Sequence, residues 1–443
     1  MPPLLIQADI RALAGVCVTL WRIFRPLVEY KVTIELDGSL SDAVQKALAI
    51  TRTSTILDSV VTVNIGKRTI WWKFRPVHKI LYLFSPTLFT LVKAIPAMRQ
   101  LHTVHLWGIF LARTYLCCIL SSPYLTHLFL DAVRMPNISK LPPAPQNLRI
   151  LTICSVYSWE AIEPLIARLA TSLEYLELKW CIFRSLRRFP LPSFPCLREL
   201  RHHQRPTLNH GNEDLLNELF HLVPQVTHLH LDGWVYYRHI TAFPKSLQHL
   251  SIEEMMLREQ RFGPITCPQL MSLSLQCYRV WGLNYHLTLS SFIRNHFPRI
   301  TCLHLDRPWT LPTALALARS QHHVQTLKVS LKYTCGLDRE GTDFNFPPGI
   351  PSDILRGCIL PAALQSLILE VVQTNYELEQ SVPTFTQWID DNVLPPVTGL
   401  GGPDLKNIDV LFVRLESKLE RERVVRRRWV KLPNDDWLME ECL

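Results

Sequence analysis

One six-residue phrase, apolar-x-x-apolar-x-apolar, recurs twelve times and limits what this chain can fold into more than any other feature. It reads Leu101-His-Thr-Val104-His-Leu106, Leu125-Thr-His-Leu128-Phe-Leu130, Leu148-Arg-Ile-Leu151-Thr-Ile153 and Leu173-Glu-Tyr-Leu176-Glu-Leu178. The fifth copy, Leu197-Arg-Glu-Leu200-Arg, loses its third position to His202. Seven more begin at Val226, Leu247, Leu270, Ile300, Val324, Leu364 and Leu405. The last two apolar positions are two residues apart, so on a strand both point to one face. The first lies on the turn entering the strand. Three side chains cannot build a core alone, but stacked copies form a continuous one, with their strands pairing in parallel.

Successive phrases start 24, 23, 25, 24, 29, 21, 23, 30, 24, 40 and 41 residues apart, nine of the eleven at or near the spacing of leucine-rich repeats. Amphipathic stretches lie between them, over residues 111–120, 161–170, 213–223, 289–297 and 314–319, and predict short helices on the return path. A proline precedes the first apolar position by two or three residues in nine of the twelve copies. Lacking an N–H and forcing its predecessor toward extended geometry, proline ends a helix where the next strand must begin. The fold class expected is α/β: a leucine-rich-repeat solenoid, or horseshoe, with a parallel concave sheet and convex helices. Residues 332–360 read as a loop insertion and 384–394 as a helix. Before Leu101 the pattern degrades, but Tyr30-x-Val32-x-Ile34 and Val61-x-Val63-x-Ile65 suggest strands of irregular early units, with a helix over 41–50 between them.

Composition agrees with a folded repeat protein: 443 residues, 48 % hydrophobic and 19 % charged, with 32 prolines against 15 glycines. The first nine residues show no basic, apolar and small-residue succession of a secretory signal. The longest apolar stretch, residues 80–92, is broken by Pro86 and falls short of the roughly 20 residues a membrane span needs. The cysteines, with no Cys-x-x-Cys among the twelve, read as reduced thiols in core gaps. A cytoplasmic or nuclear location is expected, with no membrane contact.

Residues 8–27 differ from the rest. Ile10, Leu13, Val16, Cys17, Leu20 and Trp21 recur at helical spacing. Here the chain resembles the F-box/leucine-rich-repeat proteins, in particular the fungal group with irregular repeats. The second half of an F-box typically carries an aspartate, a leucine-alanine run, Val-Cys and Trp-Arg. The matching residues are Asp9, Leu13-Ala14, Val16-Cys17 and Trp21-Arg22. The family's opening Leu-Pro-x-Glu-Leu-Leu helix is not matched by Met1-Pro-Pro-Leu-Leu-Ile, so the likeness is to a partial F-box. It implies that Ile10, Leu13, Val16, Cys17 and Trp21 face a Skp1-type adaptor, and that the repeats select a protein substrate for a cullin-type (SCF) ubiquitin ligase. The residues alone also allow a plain helical cap on the repeat core.

No catalytic or cofactor motif accompanies this. Gly66-Lys67 lacks the upstream glycine of a phosphate loop, and no His-Glu-x-x-His or Gly-x-Ser-x-Gly occurs. Of the seventeen histidines, His105, His127, His228, His230, His249 and His304 fall at strand positions that point away from the core. They read as partner-contacting or solvated side chains; without cysteine or carboxylate at ligand spacing, no metal is expected. With Phe129, Tyr175, Glu177, Arg201 and Lys328 they outline a concave partner-binding face, where Phe129 and Tyr175 are candidate anchors.

The formal charge of +9 is concentrated near the end, at Arg421, Arg423, Arg426, Arg427, Arg428 and Lys431. Leu415, Leu419 and Val424 are loosely helical in spacing, which suggests a capping helix with a solvated basic face. Contact with an acidic partner or nucleic acid is the lesser reading. Four regions are therefore expected: a partial F-box-like segment (1–27), irregular early repeats (28–97), the repeat solenoid (98–413) and a basic C-terminal helix and tail (414–443). No cofactor is implied. The expected function is protein binding without catalysis, within a ubiquitin ligase or as a free-standing scaffold.

Overall fold

All twelve phrases end in a β-strand, and within each unit the apolar positions whose burial is described face inward. The computed structural model describes residues 16, 19, 30–35, 40–52, 57–66, 86–109, 111–133, 147–155, 159–179, 193–203, 219–236, 242–256, 267–276, 285–306, 311–333, 360–373, 404–414, 423–432 and 437–442. The chain divides into two compact units, Met1–Val226 and Thr227–Leu443.

The first unit contains β1 (Tyr30–Glu35), β2 (Val60–Gly66), β3 (Thr103–Trp107), β4 (His127–Asp131), β5 (Ile150–Cys154), β6 (Tyr175–Lys179) and β7 (Glu199–His203). They pair in parallel and in chain order. Register from β2 to β7 is unbroken. Val63, Val104, Leu128, Leu151, Leu176 and Leu200 form one inward row, and Ile65, Leu106, Leu130, Ile153, Leu178 and His202 the next. His202, 4 % exposed, takes the core place of a leucine. β2 carries a further copy of the phrase, Val60-Val-Thr-Val63-Asn-Ile65. Val60 is its buried first position, and Val61 instead offers its carbonyl to the His102 N–H at 3.0 Å.

Backbone hydrogen bonds lock adjacent copies. The His102 carbonyl accepts both Thr126 and His127 N–H groups, at 2.9 and 2.8 Å. The carbonyls of Thr126, Arg149 and Glu174 repeat this toward the next strand. Each strand from β3 to β5 then leaves the sheet through one left-handed residue: Gly108 (φ 63°), Ala132 (φ 56°) and Ser155 (φ 54°). Their N–H groups bond the last carbonyl of the following strand: Asp131, Cys154 and Lys179. This corner holds these strands to five residues.

On the return path run α1 (Leu40–Arg52), α2 (Pro86–Ala94), α3 (Arg113–Leu120) and α4 (Trp159–Leu169). In α4, Ile162, Leu165, Ile166 and Leu169 are buried at the spacing of one helical face. α1 packs on α2 and α2 on α3, with the Phe89 and Tyr115 rings edge to face at 5.5 Å. Of the helix expected over 213–223, only 219–223 lie among the described residues; 219–222 are helical and Val223 has left the helix.

The proline rule also acquires a geometric reason. At Phe194-Pro195-Cys196-Leu197, the Leu197 N–H bonds the Phe194 carbonyl, closing a β-turn with proline at its second position. That is the position its fixed φ suits. The turn's first residue is a further core position: Met98, Phe194 and Val223 are fully buried there.

Gly66 has no space for a side chain, because a Cβ would meet both the ring and the backbone carbonyl of Trp107. Since the carbonyl cannot swing away, Gly66→Ala is expected to destabilise the first unit by about 1–3 kcal/mol. Urea unfolding would check this. An unchanged midpoint would mean that Trp107 does not lie over β2.

In the second unit, β8 (His228–Tyr236), β9 (His249–Met256), β10 (Ser272–Gln276), β11 (Cys302–Asp306), β12 (Thr326–Tyr333), β13 (Ser366–Gln373) and β14 (Asn407–Arg414) are parallel and sequential. α5 (Tyr285–His296) and α6 (Leu311–Arg319) pack on each other. The buried turn position recurs at Cys267 and Phe297. β12, β13 and β14 run to eight residues each, because Leu331-Lys-Tyr333, Val371-Val-Gln373 and Leu411-Phe-Val-Arg414 continue as strand formers. The expected insertion and the helix over 384–394 fall largely or wholly outside the described residues.

The expected C-terminal helix is corrected. Arg423–Lys431 is a strand, β15, antiparallel to β14, and Trp437–Cys442 forms β16, antiparallel to β15. Val424, Val425, Trp429 and Val430 favour a pleated surface over a helix. Arg428 lies 3.9 Å from the Asp409 carboxylate of β14. The backbone register sets Arg428 opposite Asp409 on one side and Glu440 on the other, and Arg427 opposite Glu441. Leu415 and Leu419, which suggested the helix, lie outside the described residues.

Candidate protein-binding face

Opposite the buried rows, each short strand presents three outward positions. In the first unit these make three lanes across β3 to β7. One carries Thr103, His127, Ile150, Tyr175 and Glu199; the next His105, Phe129, Thr152, Glu177 and Arg201; the third Trp107, Asp131, Cys154, Lys179 and His203. The register thus gathers His105, His127, Phe129, Tyr175, Glu177 and Arg201 on one face, as the phrase predicts.

Two clusters stand out. Across β3 and β4, the His105 ring lies 5.2 Å from that of Trp107 and 5.7 Å from that of Phe129. Burial, helped by Lys31, lowers the His105 pKa, so the ring is neutral near pH 7. Across β5 to β7, Glu177 accepts hydrogen bonds from the Tyr175 hydroxyl at 3.2 Å and the Thr152 hydroxyl at 3.4 Å, and pairs with His203 Nε2 at 3.1 Å. The His203 hydrogen bond outweighs burial and holds the Glu177 carboxyl below its usual range. Burial and then the Glu177 charge push the Tyr175 phenol up, so it remains a donor. Arg201 bonds Glu199 at 2.8 Å and lies 5.5 Å from the Tyr175 ring centre. Tyr175 is therefore fixed at its hydroxyl and beside its ring, as an anchor needs to be.

His127 is set by Thr126, whose hydroxyl lies 2.6 Å from Nδ1. The second unit repeats the device: Thr227 lies 2.9 Å from Nδ1 of His228. His228 in turn stacks on His249, with ring centres 4.2 Å apart and planes at 14°. Burial and then His228 lower the His249 pKa, which keeps that stack from carrying two charges at neutral pH. His230 pairs with Asp232 at 2.7 Å.

His304 sits at the centre of a network whose polarity can be assigned. Burial pushes the Glu370 carboxyl up, but hydrogen bonds from Lys328 and Ser330 outweigh it and keep the group ionised. Ser330 therefore donates to Glu370 at 2.8 Å, and its oxygen accepts from Nε2–H of His304 at 3.1 Å. Nδ1 is then the acceptor for the Ser274 hydroxyl at 3.1 Å. Burial, with Lys328 adding repulsion, lowers the His304 pKa to about 4. An imidazole so reluctant to take a proton is a poor general base. The chain from Ser274 to Glu370 is a rigid patch, with Lys328 held 2.7 Å from Glu370 at its rim.

Of the F-box-like positions, Val16 is helical and 69 % exposed; Ile10, Leu13, Cys17 and Trp21 lie outside the described residues. The sequence reading missed Trp107, Asp131, His203, Asp232, Ser330 and Glu370, all one residue or more beyond the phrase. The signal was available: strand alternation continues one step past the third apolar position and creates the third lane.

No protein-family model matches this sequence, and no curated protein does. Among solved structures, it is similar to the crystal structure of an internalin (inlF) from Listeria monocytogenes str. 4b F2365, at 13 % identity and a TM-score of 0.37, over 84 % of this chain and 96 % of that one. The recurring phrase, the shared-carbonyl ladder and the buried leucine rows of the chain itself give each unit its leucine-rich-repeat-type fold.

Proposed function

We propose that this chain is a non-catalytic protein-binding repeat protein, and that the outward lanes of its strands hold a polypeptide partner. The observation carrying this reading is the fixed Tyr175, Glu177, Arg201 and His203 group, where an aromatic anchor and charged neighbours are ordered before any partner arrives. Pre-ordered side chains lose little freedom on binding, which is what a contact surface requires. Cross-linking to the native chain is expected to recover a protein partner, and a Tyr175→Ala, Arg201→Ala double variant that remains folded should lose most of it. Equal recovery from both would place binding elsewhere.

A finer reading concerns the role served. Asp9, Leu13-Ala14, Val16-Cys17 and Trp21-Arg22 resemble part of an F-box, and the exposed Val16 is where an adaptor contact would need an apolar side chain. On this reading the chain selects substrates for a Skp1–cullin ubiquitin ligase in the cytoplasm or nucleus, and ubiquitin transfer belongs to other subunits. Purified Skp1-type adaptor should then bind the full chain, and Val16→Asp should weaken it at least about tenfold. An adaptor that ignores the folded chain would leave the alternative, a scaffold without ligase association.

A further inference from the structure

The aromatic cluster on β3 and β4 has a chemistry of its own. The Trp107 ring occupies the space over Gly66 that a side chain would take, so it lies against β2. His105 and Phe129 continue the patch in the neighbouring lane, and all three rings are half-buried on the outward face. Along the third lane the register runs Glu35, Gly66, Trp107, Asp131. A carboxylate thus stands on each side of the Gly66–Trp107 pair. Burial raises the Asp131 carboxyl pKa, and Lys179, two strands further on, offsets this only in part. His105, lowered by burial and by Lys31, offers a neutral ring and not another cation.

An apolar side chain seated on Trp107 would desolvate Asp131 further and supply no opposite charge. A cation over the ring faces would meet the negative side of the aromatic quadrupole and the carboxylate together. We propose that Trp107, His105 and Phe129, flanked by Asp131 and Glu35, form a recognition site for an arginine or lysine side chain of the protein partner. The site deepens the reading of the outward lanes as a binding face and rests on it. Lys31 and Lys179 set its limits, confining the incoming charge to the ground between β2 and β4.

The test uses the full chain labelled with 5-fluorotryptophan, the Trp107 fluorine resonance being identified by its loss in Trp107→Phe. N-acetyl-arginine methylamide is titrated in, with the leucine and glutamate equivalents as comparison probes. The arginine probe is expected to shift the Trp107 resonance saturably, and Asp131→Asn to weaken that response about threefold to tenfold. The other tryptophan resonances should keep their dispersion in Asp131→Asn, showing that the variant is folded. No shift with arginine, an equal shift with leucine, or an Asp131→Asn response equal to the native one would each overturn the proposal. Because the readout needs no partner protein, it separates this site from the wider reading. Failure to cross-link any protein would count against the binding face alone.

Discussion

Leu229→Asp is expected to unfold the second unit, with a loss on the order of 5 kcal/mol or more. Leu229 is the first inward residue of β8, 2 % exposed and in register with Leu250 of β9. Truncating a buried leucine to alanine already costs about 2–5 kcal/mol. A carboxylate adds desolvation with no cation in the leucine rows to answer it. Urea unfolding would read the loss as a collapsed midpoint. The matched control is His228→Gln, one residue earlier and exposed on the other side, expected to lose under about 1 kcal/mol. His230 is unsuitable, since an aspartate there would face Asp232, now 2.7 Å from the imidazole. A loss at position 228 as large as that at 229 would mean that the two sides of β8 are not inward and outward as described.

The second large effect is a dependence on acid centred on His304. Its folded-state pKa of about 4 lies below the ordinary 6.5, so the unfolded chain takes the proton first. Stability from this group is complete above pH 6.5 and declines as pH falls from 6.5 toward 4. The loss by pH 4 is about 2–3 kcal/mol. His105, His127, His249 and His296 are lowered as well and add slopes of the same sign. The difference between native chain and His304→Gln therefore carries the prediction: the variant should be flatter over that interval. A native slope no steeper than the variant's would show that His304 charges freely in the folded protein.

Much of the fold was legible because burial of three apolar groups per copy leaves a spaced signature. Every phrase became a strand, and even His202, out of place by residue type, stands where the pattern puts it. Val60–Ile65 was harder to read. In Val60-Val-Thr-Val63 two alternations overlap, and only the hydrogen bond from His102 to Val61 reveals that Val60 faces the core. The C-terminal strands were misread because Leu415, Leu419 and Val424 imitate a helical stripe. What makes β15 a strand is backbone pairing with β14 and β16, which no local spacing announces. The candidate face was half legible. The phrase located His105, Phe129, Tyr175 and Glu177, but a repeat defined by its greasy positions stops short of Trp107, Asp131 and Glu370. Nothing local foretold that Ser274, His304, Ser330 and Glu370 would join, since four strands contribute one group each.

The left-handed corner after β3, β4 and β5 has a bearing on what such a surface can grip. By ending each strand after five residues, it fixes a strip three side chains wide whose columns advance by one strand spacing, about 4.8 Å. An extended peptide laid across the strip advances about 3.3 Å per residue, and a helix about 5.4 Å per turn. Neither ruler matches the columns, so a linear ligand drifts out of step within a few strands. Contacts must fall at isolated places, each with its own chemistry, and a monotonous ligand would find no more than one or two of them.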